Sequence, residues 1–261
     1  MNELTKTQEY SFAATGIIIV REFLPRETID KMKTAVEGIE KPKFPFIDTN
    51  PPLFMELMSH PWIMDCCSKF VGRWFRFDHQ LGVRQSKEDE AYLHGGAFGS
   101  QGTCYHVPLG ETSWNGQLTF GLALSGQSDE GFSYIPGSHR TDLRRNSHGS
   151  IWNEVLNWFS SEDRWRQGTI LETPQLEPGD LVVFSEALIH GQSKWTRTIP
   201  RTTLYYKYVP GHMAWMDFEL IKNLQKYATT PQQKALLQRP YVRSQCSGET
   251  FWREPIVKKE Q

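Results

Sequence analysis

The feature that most constrains the fold is a series of short segments, rich in β-branched and aromatic residues, that follow one another from position 75 onward. Segments of this composition are typical of β-strands. Turn residues separate them, among them Pro136-Gly137 and Pro178-Gly179-Asp180. The pattern predicts strands at 75–83, 118–124, 132–135, 181–184 and 202–209, and an earlier one at 16–20.

Helical patterns flank this β-rich region. Apolar residues recur every three or four positions in 27–39, and a second helical stretch at 53–71 is interrupted near Pro61. Thr230-Pro231 is typical of a cap and first turn, and it predicts a last helix through 237. A further helix is predicted at 152–165. Many strands between helical flanks favour a mainly β fold, a double-stranded β-helix of the jelly-roll or cupin-like type.

The length of 261 residues is enough for one domain with a sizeable core. We expect a single domain over 1–261. Its N-terminal helical layer would cover about 1–72, its barrel core about 73–212, and its C-terminal helical extension about 213–261.

Composition and charge exclude several classes of function. The net charge is −1, so the overall charge does not argue for a nucleic-acid or anionic-membrane partner. Its longest apolar runs are too short to cross a bilayer, and its first ten residues are polar, unlike a signal peptide. The four cysteines have neither metal-site nor disulfide spacing. We therefore expect a protein of the reducing cytoplasm without a nucleic-acid or membrane partner.

Two histidines and an arginine stand out among the predicted strands. His94 precedes two glycines, His190 follows the strand predicted at 181–184, and Arg201 comes eleven positions after His190. Oxygen-activating iron sites commonly bind the metal with two histidines and one carboxylate, and leave other positions open. Arg201 and Thr203 share one face of a strand, where a guanidinium and a hydroxyl can together bind a carboxylate. The spacing therefore predicts a metal site with a carboxylate-binding group beside it.

Longer motifs around these residues resemble a known family. The motifs are residues 12–27, Leu93-His94, the run Pro136-Gly137-Ser138-His139 within 131–140, Pro178-Gly179-Asp180, and His190-Gly191 followed by Arg201. Together they resemble the phytanoyl-CoA dioxygenase family of Fe(II)- and 2-oxoglutarate-dependent oxygenases. The resemblance covers most of the chain and is to a subgroup that carries Leu-His-Gly-Gly in place of the usual His-x-Asp.

The resemblance implies an activity and a set of site residues. His94 and His190 match the metal ligands of the family. Arg201, with Thr203, matches the residues that bind the far carboxylate of 2-oxoglutarate. The expected cofactors are Fe(II), 2-oxoglutarate as cosubstrate, and O2. The expected reaction is hydroxylation of a small organic substrate, in which His94, His190 and Arg201 are the catalytic residues.

Position 96 departs from the family pattern, because Gly96 stands where most members have an acidic ligand. Several alternatives remain open for that coordination position. Chloride or bromide would occupy it in a halogenase. Glu186 would reach the metal if 185–189 form a turn, and would otherwise orient His190. His106 would add a third histidine. A different class of function is a non-catalytic barrel that binds a ligand or a metal.

Overall fold

The computed structural model of the protein describes residues 3–40, 43–95, 104–109, 112–141 and 170–240. The helix predicted at 152–165 and the part of the C-terminal extension after residue 240 lie outside these ranges. Within them, the α-helices are α1 (Lys6–Thr15), α2 (Arg26–Ala35), α3 (Pro51–Met58), α4 (Pro61–Phe70), α5 (Glu219–Lys222) and α6 (Pro231–Leu236). None of these helices has the length and apolar character that a bilayer span requires.

The strands of the described residues form antiparallel sheets. They are β1 (Ile17–Val20), β2 (Lys43–Phe44), β3 (Phe75–Gln85), β4 (Tyr92–His94), β5 (His106–Leu109), β6 (Thr112–Asn115), β7 (Leu118–Ala123), β8 (Phe132–Tyr134), β9 (Leu181–Ser185), β10 (His190–Gln192) and β11 (Arg201–Pro210). A six-stranded sheet has the order β1-β9-β7-β11-β3-β2, a three-stranded sheet has the order β4-β10-β8, and β5 pairs with β6.

Successive strands alternate between the two larger sheets from β7 onward. β7, β9 and β11 belong to the six-stranded sheet, whereas β8 and β10 belong to the three-stranded sheet. This alternation produces a double-stranded β-helix, in which two sheets enclose a common interior. The predicted fold class, mainly β with flanking helices, is therefore confirmed. An apolar cluster of Ile17, Ala123, Phe132, Tyr134, Leu176, Val182, Phe184 and Leu188 includes side chains from both sheets.

The helices cover the other face of the six-stranded sheet. Tyr206 and Tyr208 of β11 donate their hydroxyls to the backbone oxygens of Phe54 and Met58 in α3, at 3.1 and 2.5 Å. Because alternate residues of a strand point to opposite faces, the odd-numbered residues of β11 point toward the interior between the sheets. These residues are Arg201, Thr203, Tyr205 and Lys207.

The elements that the sequence pattern missed are short or weakly patterned. α1 buries only Phe12, and it is fixed by a capping box in which the side chains of Thr5 and Gln8 bond each other's backbone N–H groups. β4 and β10 are three residues long and contain histidine, glycine or glutamine, so they lack the apolar alternation that predicts a strand. These two missed strands carry both histidines of the predicted metal site.

Candidate metal centre

His94 and His190 are brought together by backbone pairing. β4 and β10 are antiparallel neighbours whose register places His190 directly opposite His94, and the two ring centroids are 4.2 Å apart. The next residue of β10 is Gly191, where an added Cβ would lie 1.8 Å from the backbone oxygen of Tyr92. Glycine at this position therefore allows the two strands to approach closely enough for both imidazoles to reach one metal ion.

Glu186 reaches the two histidines through a tight turn. β9 ends at Ser185, and the backbone N–H of Leu188 donates to the oxygen of Ser185 at 2.9 Å. The turn that the sequence interpretation required over 185–189 is therefore present. It brings Glu186 Oε2 to 3.8 Å from His190 Nε2. On a straight strand these two residues would be roughly 13 Å apart.

Ligand atoms of His94, Glu186 and His190 all lie within 4.8 Å of one another. This is the one group of three or more His, Cys, Asp or Glu side chains with such spacing in the part of the chain that the structure describes. Two imidazoles and one carboxylate form a donor set suited to a divalent transition metal such as Fe(II). The arrangement could hold such an ion.

The histidines are held in the form that binds metals. His190 Nδ1 lies 2.7 Å from the backbone oxygen of Leu188, which can only accept, so Nδ1 carries the proton and Nε2 keeps its lone pair. Burial lowers the pKa of His190, although Glu186 and the Leu188 carbonyl oppose that shift. Part of His94 is open to solvent, yet the protein around it and the neighbouring His190 lower its pKa to about 3. Both imidazoles are therefore neutral near pH 7.

Glu186 is held in the charged form. Burial raises the pKa of its carboxyl group, but Lys207, His190 and His94 together outweigh burial and hold the pKa well below its usual range. The Lys207 ammonium donates to Glu186 Oε1 at 2.7 Å, and the Thr119 hydroxyl donates to the same oxygen. A carboxylate, rather than a carboxylic acid, therefore faces the two histidines.

Arg201 lies on the inner face of β11 and is 3 % exposed. Its Nε donates to Gln85 Oε1 at 3.0 Å, and its Nη1 donates to Thr203 Oγ1 at 3.0 Å and to Gln127 Oε1 at 3.3 Å. Arg201 and Thr203 are therefore adjacent, as the sequence predicts. Gly131 leaves room for the guanidinium stem, because a Cβ there would lie 2.9 Å from Arg201 Cδ.

Two tyrosines, Tyr92 and Tyr205, lie near the histidine pair and Arg201. Tyr92 stacks on His94 with ring centroids 5.5 Å apart. Burial, Tyr205 and Glu186 together raise the pKa of Tyr92 to about 12, against the opposing effect of Arg201. The sequence interpretation missed Tyr92 and Lys207, although a period of two from Arg201 along β11 would have found Lys207.

The remaining predicted site residues lie elsewhere or outside the described residues. His106 is on β5, where its Nδ1 lies 3.0 Å from Asn115 Oδ1 and its ring stacks edge-on to His139 at 4.5 Å. It does not belong to the group formed by His94, Glu186 and His190. Gly96 lies outside the described residues.

Comparison with known proteins identifies similar structures and no similar sequence. No family model and no curated protein sequence matches the chain. HygX from Streptomyces hygroscopicus, solved with nickel, 2-oxoglutarate and hygromycin B, matches with a TM-score of 0.70 and 19% identity, over 82% of this chain and 90% of HygX. EctD from S. alaskensis with bound Fe has a TM-score of 0.58 and 15% identity, over 80% and 77% of the two chains.

A third similar structure is SnoK, a non-heme alpha-ketoglutarate-dependent carbocyclase from nogalamycin biosynthesis. Its TM-score is 0.58 and its identity 16%, over 80% of this chain and 85% of SnoK. At such identities the likeness shows the fold alone, the double-stranded β-helix. The resemblance to the phytanoyl-CoA dioxygenase subgroup stays a prediction, because no family model supports it.

Proposed function

We propose that the chain is an Fe(II)- and 2-oxoglutarate-dependent oxygenase that hydroxylates a small organic substrate. The observation that carries this proposal is the group of His94, Glu186 and His190, whose ligand atoms lie within 4.8 Å of one another. Two imidazoles and one carboxylate are the donor set of non-haem Fe(II) oxygenases. Similar structures of the same fold were solved with iron, or with nickel and 2-oxoglutarate, which supports the same choice of metal and cosubstrate.

Each residue has one task in this proposal. His94, His190 through Nε2, and Glu186 through Oε2 hold the metal ion. Arg201 and Thr203 bind the distal carboxylate of 2-oxoglutarate, for which a guanidinium fork offers two parallel bonds. A bound iron ion supplies chelation of the oxo acid and activation of O2.

Aromatic side chains shield His190 from water. The ring centroid of Phe184 lies 4.4 Å from that of His190, and the ring centroid of Phe132 lies 6.2 Å from it. Both phenylalanines are buried. An apolar wall of this kind lowers the local dielectric and strengthens the electrostatic contacts inside the site.

Halogenation is the alternative that Gly96 raises, and the position of Glu186 argues against it. A halide needs a coordination position that no carboxylate fills, whereas Glu186 brings a charged carboxylate to the histidine pair. We therefore expect a hydroxylated product and no halogenated product when chloride and bromide are present. A halogenated product that Gly96→Asp suppresses in favour of hydroxylation would overturn this part of the proposal.

Formation of succinate separates an enzyme from a barrel that only binds ligands. Protein given Fe(II) and 2-oxoglutarate without oxygen should develop a metal-to-ligand charge-transfer absorption band, and should form succinate when O2 is admitted. His190→Ala should remove both signals. His212→Ala replaces an exposed histidine and should leave both unchanged. If the wild-type protein shows the band but forms no succinate, it is a non-catalytic binder, and if it shows neither, the proposal fails.

A further inference from the structure

Thr119 and Lys207 are a cross-strand pair that shares one target. β7 and β11 are antiparallel neighbours, and their register places Thr119 directly opposite Lys207. Side chains directly opposite on one face of a sheet have Cβ atoms about 5 Å apart. The Thr119 hydroxyl and the Lys207 ammonium both donate to Glu186 Oε1, the ammonium at 2.7 Å. The six-stranded sheet therefore holds Glu186 by one oxygen from two neighbouring strands.

This arrangement distinguishes the two oxygens of Glu186. Oε1 accepts from both donors, whereas Oε2 lies toward His190, 3.8 Å from Nε2. A carboxylate without such bonds can rotate and can bind a metal with one oxygen or with both. Two donors on Oε1 oppose that rotation and leave Oε2 as the oxygen that faces the histidines.

Lys207 is itself held in place by its surroundings. Its side chain is 14% exposed, and its ammonium lies 5.9 Å from the centre of the Trp215 ring. The backbone N–H of Trp215 donates to the buried carboxylate of Asp78 at 3.0 Å. Asp78 lies at an irregularity of β3, where Lys207 pairs with His79 and the next residue of β11 pairs with Phe77. Such bulges re-aim neighbouring side chains.

We propose that Lys207 and Thr119 are positioning residues that present Glu186 to the metal as a ligand through Oε2 alone. The inference rests on the proposed metal site, and it assigns to both residues an effect that acts through Glu186. Outer partners of metal ligands commonly contribute tenfold to a hundredfold to metal affinity.

A competing effect of Lys207 means that the direction of the change in metal affinity tests the proposal. The positive charge of Lys207 repels a divalent cation beside Glu186, so a lysine that served only to neutralise the empty site would weaken metal binding. Its removal would then strengthen binding. If Lys207 positions Glu186, its removal weakens binding instead. Thr119 carries no charge and provides an independent measure of the positioning effect.

The test is the affinity of the full-length protein for Ni(II), measured by competition with a chromophoric chelator. Ni(II) suits the test because it binds imidazole more tightly than Fe(II) does, so that weakened variants remain measurable. We expect Lys207→Met and Thr119→Val each to weaken Ni(II) binding by about tenfold or more. Thr119→Ser retains the hydroxyl and should stay within about threefold of wild type. Thermal unfolding of the metal-free variants reports separately on folding.

Repeating both substitutions in a Glu186→Ala background shows whether they act through Glu186. There we expect Thr119→Val to change Ni(II) affinity by less than about twofold, because the group that it positions is absent. Lys207→Met should not weaken binding in that background and should tighten it to the extent that the lysine repels the cation. Unchanged or tighter Ni(II) binding by Lys207→Met in the otherwise wild-type protein, or an equal loss in the Glu186→Ala background, would overturn the inference. The variant His94→Ala is the control for the proposed function itself. If the wild-type protein binds no Ni(II), or if His94→Ala binds it as tightly as wild type does, the proposed function is refuted.

Discussion

His94 and His190 lie directly opposite each other on the antiparallel strands β4 and β10, with ring centroids 4.2 Å apart. The distance between the two imidazoles is therefore set by backbone pairing rather than by flexible loops. Ligands that are held by regular structure lose little conformational freedom when a metal binds. The third group, Glu186, joins them because β9 ends in a turn immediately before it.

Gly191→Ala should disrupt both the strand pair and metal binding. Its new Cβ would lie 1.8 Å from the backbone oxygen of Tyr92, so β4 and β10 would have to separate and the imidazoles with them. We expect a loss of about 3 kcal/mol in the free energy of unfolding, measured by urea denaturation, and weaker Ni(II) binding. Gly38→Ala adds a Cβ with nothing within 4 Å and should cost only the roughly 1 kcal/mol of its positive φ. Wild-type Ni(II) affinity in Gly191→Ala would contradict the role given to this strand pair.

Arg201→Ala should weaken 2-oxoglutarate binding while it leaves metal affinity largely unchanged. A charge-assisted bond contributes about 1.5–3 kcal/mol, which corresponds to a rise in the dissociation constant of roughly tenfold to a hundredfold. Anaerobic titration of the Fe(II)-loaded protein with 2-oxoglutarate measures this constant. Arg197→Ala is the control, because Arg197 is 44% exposed and bonds Ser128 and Asp129 away from the site. Equal affinities in Arg201→Ala and Arg197→Ala would exclude Arg201 as the carboxylate-binding group.

Asp78→Asn should be among the more destabilising substitutions in the chain. Asp78 is 1% exposed, and it accepts bonds from Arg76 Nη1 at 3.0 Å and from the backbone N–H of Trp215 at 3.0 Å. Removing its charge leaves the buried guanidinium of Arg76 without its counterion, which typically costs about 3–5 kcal/mol. Asp30→Asn breaks an exposed ion pair with Arg26 and should cost less than about 1 kcal/mol. Chemical denaturation of both variants checks the difference, and similar losses would contradict it.

His139 should make the protein less stable in mild acid. Burial, together with the positive potential from His106 and Arg140, lowers the pKa of His139 from 6.5 to about 3. Between these values the unfolded chain binds a proton that the folded chain does not, so the free energy of unfolding falls as pH falls from about 6.5 toward 3. Stability against urea should decrease less steeply with acid in His139→Gln than in wild type. Parallel pH profiles for the two proteins would show that His139 does not contribute.

The sequence predicted the strands and helices of the fold better than it predicted the arrangement of the side chains between the two sheets. Apolar, β-branched segments such as 181–184 and 202–209 signal strands because they are buried on at least one face. The helix at Pro231–Leu236 was predicted from Thr230 and Pro231, and the structure confirms it with a capping box between Thr230 and Gln233. These signals are local, so strands and helix caps can be predicted from neighbouring residues without knowledge of the tertiary contacts.

The third proposed ligand was harder to predict, because its position depends on geometry that no local pattern contains. Glu186 was one of several alternatives, and only the turn at its position brings it to His190. Lys207 and Thr119 lie 21 and 67 positions from Glu186 in the sequence and meet it only through sheet register. Long-range pairings of this kind require the strand order, which the sequence alone did not provide.

The most direct test of the account is anomalous X-ray scattering from crystals of the protein soaked with Fe(II) and 2-oxoglutarate without oxygen. The account predicts one iron peak within about 2.0–2.2 Å of a ring nitrogen of His94, Nε2 of His190 and Oε2 of Glu186. It also predicts that Arg201 contacts the distal carboxylate of the cosubstrate. An iron bound by the two histidines with Glu186 turned away, and with a halide or another side chain in its position, would contradict the central claim.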